Sequence, residues 1–387
     1  MLRLTITLAA AVWALTIVAL ITVDRAPAQA PTTTQPAALD SSEADAPHVA
    51  PQPPLVGFAI NIHHIYKIER YIEALDDLAA LGVDAVEILT PIYQTHGASI
   101  DLHIDPDRCP TPAQLRTIID AAHKRGLKVV LMPIVLFSEP RGNEWRGKIQ
   151  PEDWDPWWQA YSEIMLTFAD LARESKVEIL SVGSELLSTE RQTERWIQLI
   201  KQFRARFPGQ LTYSTNWDHY FVSKHWPQLD RIGINGYWEL TDTPDVPDRL
   251  LTERWREIRA QVTAFAAKVQ RPIHFTEIGY PSLEWGLRDP WNYVGQGEPA
   301  APEIQVRGLA AFINAWSDLL IPEIPDPQDP HPPAQSDPLA GVMFYEWDLY
   351  RNGGPNDTGY GIRGKPAFQL IHDWLEKRNA ALQADTD

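Results

Sequence analysis

Residues 178–215 read EILSVGSELLSTERQTERWIQLIKQFRARFPGQLTYST. A mostly apolar run, Glu178–Val182, leads into a turn. A helical pattern covers 190–207 and stops at Pro208-Gly209, and a second run, Leu211–Thr215, follows. Strand, helix and strand in that order form a βαβ unit, whose two strands lie parallel because the helix returns the chain to its starting edge.

The same rhythm extends in both directions. Towards the N-terminus the expected strands are Val56–Ile60, Ala85–Leu89 and Lys128–Met132, with helices over Ile68–Leu81, Thr111-Pro112 to Gly126 and 157–174. Thr111 with Pro112 is a strong helix start, and Gly82 and Gly126 are stops. Towards the C-terminus come strands Arg231–Asn235, Ile273–Thr276 and Val342–Tyr345, with helices over 252–269, 302–320 and 366–379. The expectation is eight strands with eight helical connections, closed by right-handed crossovers into an α/β fold, a single (β/α)8 TIM barrel. An open doubly wound sheet fits less well, because no glycine-rich dinucleotide turn follows the first strand.

The barrel is expected over 55–380, with 381–387 as a tail. Residues 4–23 are an unbroken apolar run behind Arg3, so 1–30 reads as a signal peptide or a membrane anchor. The small residues Ala28 and Ala30 suit signal peptidase, whereas Pro31 disfavours cleavage, and both readings stay open. Seven prolines lie in 26–54, and 31–54 is too polar and proline-rich to fold, so it reads as a disordered linker. Either way the barrel is expected outside the cytoplasm: secreted, periplasmic or membrane-anchored, with 4–23 as the point of membrane attachment in the last case. A net charge of -17 argues against nucleic acid and anionic surfaces as partners. One cysteine, Cys109, allows no disulfide framework, and no His/Cys cluster has zinc spacing, so no metal and no cofactor is expected. Nothing demands an oligomer, and a monomer is expected.

Active sites of such barrels lie at the C-terminal strand ends. The expected fourth strand leads to Glu185 and the seventh to Glu277. Two opposed carboxyls suit glycosidic bond hydrolysis, in which one protonates the leaving oxygen and the other stabilises or traps the oxocarbenium-like centre. A separation of about 5–5.5 Å, reachable across a barrel mouth, implies retention of configuration. Fourteen of the 15 tryptophans lie outside the apolar N-terminus. Aromatic faces stack on sugar rings, and about a third of them are expected to line the cleft, the others being core.

Several motifs resemble glycoside hydrolase family 113, within the clan of retaining barrel glycosidases. They are Glu144-Trp145-Arg146-Gly147-Lys148-Ile149, Gly183-Ser184-Glu185-Leu186, Leu211–Asp218, Ile232–Tyr237 and Phe275–Tyr280. The resemblance implies a β-1,4-mannanase-like enzyme, with Glu185 as acid/base and Glu277 as nucleophile, acting on a β-linked polysaccharide or oligosaccharide. Ser184 agrees with family 113 better than with the wider clan, where Asn is common. Met132-Pro133-Ile134 departs from the family's Lys-Pro-His step, which leaves the sugar specificity open. Trp347 is expected as the platform under the sugar, Asn216 as a hydroxyl partner and Tyr237 as the holder of the nucleophile. Trp145, Arg146, Trp217 and Trp238 are further substrate-binding candidates, while His63, His64 and His219 read as structural or solvent-facing. A catalytically silent carbohydrate-binding barrel and a glycosidase on a smaller or differently linked β-glycoside are the alternatives.

Overall fold

The computed structural model describes residues 53–292, 298–321, 338–351, 353–354 and 356–384. The expected leader and most of the linker, 1–52, lie outside the described residues, as does most of the proline-rich insertion, 322–337. Eight parallel strands close into one barrel in sequence order, and β1 pairs with β8. They are β1 Leu55–Asn61, β2 Ala85–Gln94, β3 Lys128–Phe137, β4 Ile179–Ser184, β5 Gln210–Asn216, β6 Ile232–Asn235, β7 Ile273–Ile278 and β8 Leu339–Phe344. The helices are α1 Ile68–Leu81, α2 Pro112–Lys124, α3 Trp154–Glu174, α4 Thr193–Arg206, α5 Asp248–Val269, α6 Pro302–Leu320 and α7 Pro366–Ala384.

The expected eighth helical connection is absent among the described residues. A single 3-10 turn, Trp226–Gln228, joins β5 to β6. The segment is short, and Pro227 and the buried Trp226 fix it, with Trp226 Nε1 donating to Tyr220 O at 2.7 Å.

Side chains alternate across each strand. Phe58, Ile60, Val86, Ile88, Val129 and Leu131 pack outward against the helices in the main core. Inward, Leu55, Ala85, Val130, Ile179 and Met343 form one layer, and Ala59, Leu89, Met132 and Ile134 form another. Helix ends follow local chemistry. The Thr111 side chain accepts from Gln114 N while Gln114 Oε1 accepts from Thr111 N, a reciprocal cap that satisfies two otherwise free donors.

The two ends of the fold meet at the barrel floor. Arg378 of α7, fully buried, donates to Pro54 O at 2.9 Å and to Asp84 Oδ2 at 2.7 Å. Asp84 Oδ2 also accepts from Val56 N at 2.9 Å, so one guanidinium ties the last helix to the entry of β1.

Candidate active site

Glu185 follows β4 directly, with φ of 53°, a left-handed conformation that costs a non-glycine residue about 1–2 kcal/mol. Its surroundings hold it there. Glu185 N donates to Ser214 O at 2.8 Å, and Leu186 N donates to the Tyr213 hydroxyl at 2.9 Å. That hydroxyl donates to Glu190 Oε1 at 3.1 Å, and Glu190, fully buried, also accepts from Thr215 Oγ1 at 2.8 Å. His219 Nδ1 lies 3.1 Å from Glu190 Oε2, which is the structural role expected of that histidine. Gly183 leaves room for α3, since a Cβ there would stand 2.8 Å from the Tyr161 hydroxyl.

Glu277 lies on β7 and is only 5% exposed. The Tyr237 hydroxyl donates to its Oε2 at 2.5 Å. Between the two glutamates stands Asn235, the last residue of β6. Its Nδ2 donates to Glu185 Oε1 at 2.9 Å, while its Oδ1 accepts from Ser214 Oγ at 2.8 Å and Thr276 Oγ1 at 2.9 Å. These bonds fix which way the amide faces, so that Glu185 meets a donor.

Arg146, in the turn after β3, ion-pairs with Glu185 Oε2. Its neighbours explain the Trp-Arg-Gly sequence: the Trp145 ring lies on Gly147, where a Cβ would come within 2.4 Å of it. Burial first, and the nearby Glu185 second, push the Glu277 carboxyl up to about 8, against the pull of Tyr237 and Arg146. At neutral pH Glu277 therefore holds its proton. Glu185 is ion-paired with Arg146.

The structure brings Arg146 onto Glu185 and Tyr237 onto Glu277, with Glu185 and Arg146 near enough for their charges to act on Glu277. Asn216 closes β5 beside Asn235, with a buried Oδ1 that has no hydrogen-bond partner. Trp145 and Trp217 are half-buried. Two candidates lie elsewhere. Trp347, 3% exposed, packs on Phe58 at 5.5 Å and under the Arg363 guanidinium, in the core outside the barrel. It was expected as the platform under the sugar, but β8 ends at Phe344 and the alternation of side chains ends with it. Trp238, 6% exposed, packs against Trp255 of α5 at 5.7 Å and likewise belongs to the core.

The residue at the mouth after β8 is Tyr345, whose ring lies 6.4 Å from Tyr237 and 5.5 Å from Tyr360. Tyr345, Glu346, Asn61 and Asn235 are site residues that the sequence reading did not single out. Their signal was available: Asn61 and Asn235 each close an apolar strand with a carboxamide. Glu87 was also passed over, although it interrupts the apolar start of β2. It is fully buried, with neither oxygen hydrogen-bonded, and burial followed by the Glu277 charge raises it well above the ordinary carboxyl range, so it is neutral. Among the described residues, the grouping suited to a metal is His372, Asp373 and Glu376 on the outer helix α7, away from these strand ends.

The sequence model of Glycoside Hydrolase Family 113 matches residues 58–318. The chain belongs to glycoside hydrolase family 113. It is an enzyme that cleaves glycosidic bonds. Among solved structures, the family 113 β-mannanase AaManA from Alicyclobacillus acidocaldarius superposes with a TM-score of 0.71 at 22% identity, covering 84% of this chain and 98% of that one. A second family 113 structure, a β-1,4-mannanase, gives a TM-score of 0.71 at 22% identity over 84% of this chain and 99% of that one. A family 5 enzyme from Streptomyces cattleya, solved with Manβ1-4GlcNAc, gives 0.52 at 14% identity, over 84% of this chain and 80% of that one. These likenesses are of fold. No curated protein matches this family 113 chain.

Proposed function

We propose that this family 113 enzyme is a retaining, endo-acting β-1,4-mannanase in which Glu185 is the acid/base and Glu277 the nucleophile. The observation that carries the reading is the pair itself: two carboxyls at the ends of β4 and β7, Glu185 held by Asn235 and Glu277 by Tyr237, with the charge of Glu185 acting on Glu277. The mannan preference draws on the family 113 structures that are β-mannanases.

In the first step Glu185 gives its proton to the leaving oxygen while Glu277 attacks the anomeric carbon, forming a glycosyl-enzyme. In the second, Glu185 takes a proton from water, which displaces Glu277 from the sugar. The first step needs the proton on Glu185 and the charge on Glu277, whose carboxyl burial raises. Tyr237 stabilises the Glu277 carboxylate through its hydrogen bond.

Hydrolysis of a panel of β-mannan, glucomannan, xylan and mixed-linkage glucan, with the product anomer followed by NMR from the first turnover, tests the reading. Preferential cleavage of mannan with initial release of the β-anomer is expected. An α-anomer first would sink the double displacement, and preference for xylan or mixed-linkage glucan would sink the mannanase assignment. Residues 1–30 support export, and the single-copy completeness of the site supports a monomer. Exported protein beginning near Pro31 would mark a cleaved leader, a full-length membrane-bound form would mark an anchor, and cytosolic protein would refute export.

A further inference from the structure

The mouth holds a further carboxyl that neither step of the double displacement uses. Glu346 follows β8 at the mouth, and its Oε2 accepts a 2.6 Å hydrogen bond from Nδ2 of Asn61, the last residue of β1. The same Nδ2 donates to the Tyr345 hydroxyl at 3.1 Å. Glu346 lies close enough to Glu277 for its charge to oppose ionisation of the nucleophile. On that ground alone it works against the first step, so its place at the mouth calls for a compensating interaction.

The chemistry of the surrounding wall indicates what that interaction is. The inner layer from β1 to β3 is apolar here: Ala59, Leu89, Met132 and Ile134, with Leu136 and the Tyr345 ring packed against it. A sugar over this wall meets hydrocarbon and an aromatic face, and its hydroxyls need polar partners. On the β1 and β8 side those partners are Asn61 and Glu346. Asn61 is buried and its amide is already spent on Glu346 and Tyr345, so it fixes the carboxyl rather than competing for the sugar. Glu346 is only partly buried, and Asn61 engages one of its two oxygens.

We propose that Glu346, braced by Asn61, is a specificity-determining residue whose carboxyl accepts hydrogen bonds from hydroxyls of the sugar held beside Glu277. The inference rests on the glycosidase reading above. A carboxylate beside two adjacent hydroxyls serves both at once, and a site built around such a contact strongly rejects an analogue that lacks the hydroxyl.

The test compares wild type, Glu346→Gln and Asn61→Ala on the dinitrophenyl glycoside of the preferred sugar and on its 2-, 3-, 4- and 6-deoxy analogues. Glu346→Gln should lower kcat/KM on the parent about 10- to 100-fold, with the melting temperature within about 2 °C of wild type. On the analogue lacking the hydroxyl that Glu346 reads, the penalty should shrink to within about threefold. Asn61→Ala should lose selectivity at the same position, and it carries the test if Glu346→Gln does not fold. An equal penalty on all four analogues would assign Glu346 to structure and overturn the inference, and so would a parent rate within twofold of wild type. A wild type inactive on the parent glycoside and on every polysaccharide of the panel would overturn the functional reading instead.

Discussion

At the residue scale, the two glutamates are chemically alike and differ in what surrounds them. Glu185 has Arg146 and the Asn235 amide, while Glu277 has burial, Tyr237 and a view of other carboxyls. Replacing each by Ala should therefore give different failures. Glu277→Ala leaves nothing to form the glycosyl-enzyme, and azide in the vacated space should yield a glycosyl azide of inverted configuration. Glu185→Ala should still attack a dinitrophenyl glycoside, show a burst, and be accelerated by azide to a product of retained configuration. Inverted azide from Glu185→Ala would mean the roles are exchanged. The raised Glu277 carboxyl also has a consequence for stability. The native state keeps a proton that the unfolded chain releases above the ordinary carboxyl range, so its contribution is complete below about 4.5 and is lost as pH rises through about 8. Glu277→Gln escapes this loss. Its melting temperature relative to wild type should rise by about 2–5 °C between about pH 5 and about pH 8.5, read by scanning calorimetry. A pH-independent difference would contradict the raised carboxyl.

At the element scale, strands and helices were legible where patterning and caps agree, as in α1, which ends before Gly82, and α2, which starts behind Thr111. The expected second and third strands stop five residues short of their actual ends at Gln94 and Phe137. Proline normally ends a central strand, yet β2 runs through Pro91, opposite Ile134, and β3 through Pro133, opposite Thr90. The two carboxyls proposed as catalytic were legible because a barrel puts chemistry at strand ends, and those ends fall next to strongly apolar runs. Trp347 was not, because past Phe344 no periodicity says which way a side chain turns. Since Trp347 packs on Phe58 and under Arg363, Trp347→Ala should cost about 3–5 kcal/mol of stability and leave kcat/KM nearly unchanged at a temperature where the variant is folded. A large fall in kcat/KM with an unchanged melting temperature would return Trp347 to the cleft.

At the scale of the whole molecule, strand order and closure followed from the repeated βαβ rhythm, whereas the 3-10 turn that replaces a helix between β5 and β6 did not, because the rhythm says nothing of a connection fixed by the buried Trp226 instead of a helix face. The barrel closes within the described residues from Pro53 onward, and a chain starting at Pro53 should be soluble and as active as the full-length chain on soluble mannan. Insolubility or lost activity would mean that residues before Pro53 complete the fold. The Arg378 tie to Pro54 and Asp84 bears on how such an enzyme can be presented to a polymer. It pins the entry of β1 at the floor, and the catalytic glutamates open at the opposite end of the strands. A support joined directly at Pro53 therefore grips the barrel from behind and leaves the cleft facing away from it. A chain starting at Pro53 and coupled to beads through that residue should keep its rate on long mannan chains relative to short oligosaccharides. A selective loss on the long chains would show that the support blocks the cleft.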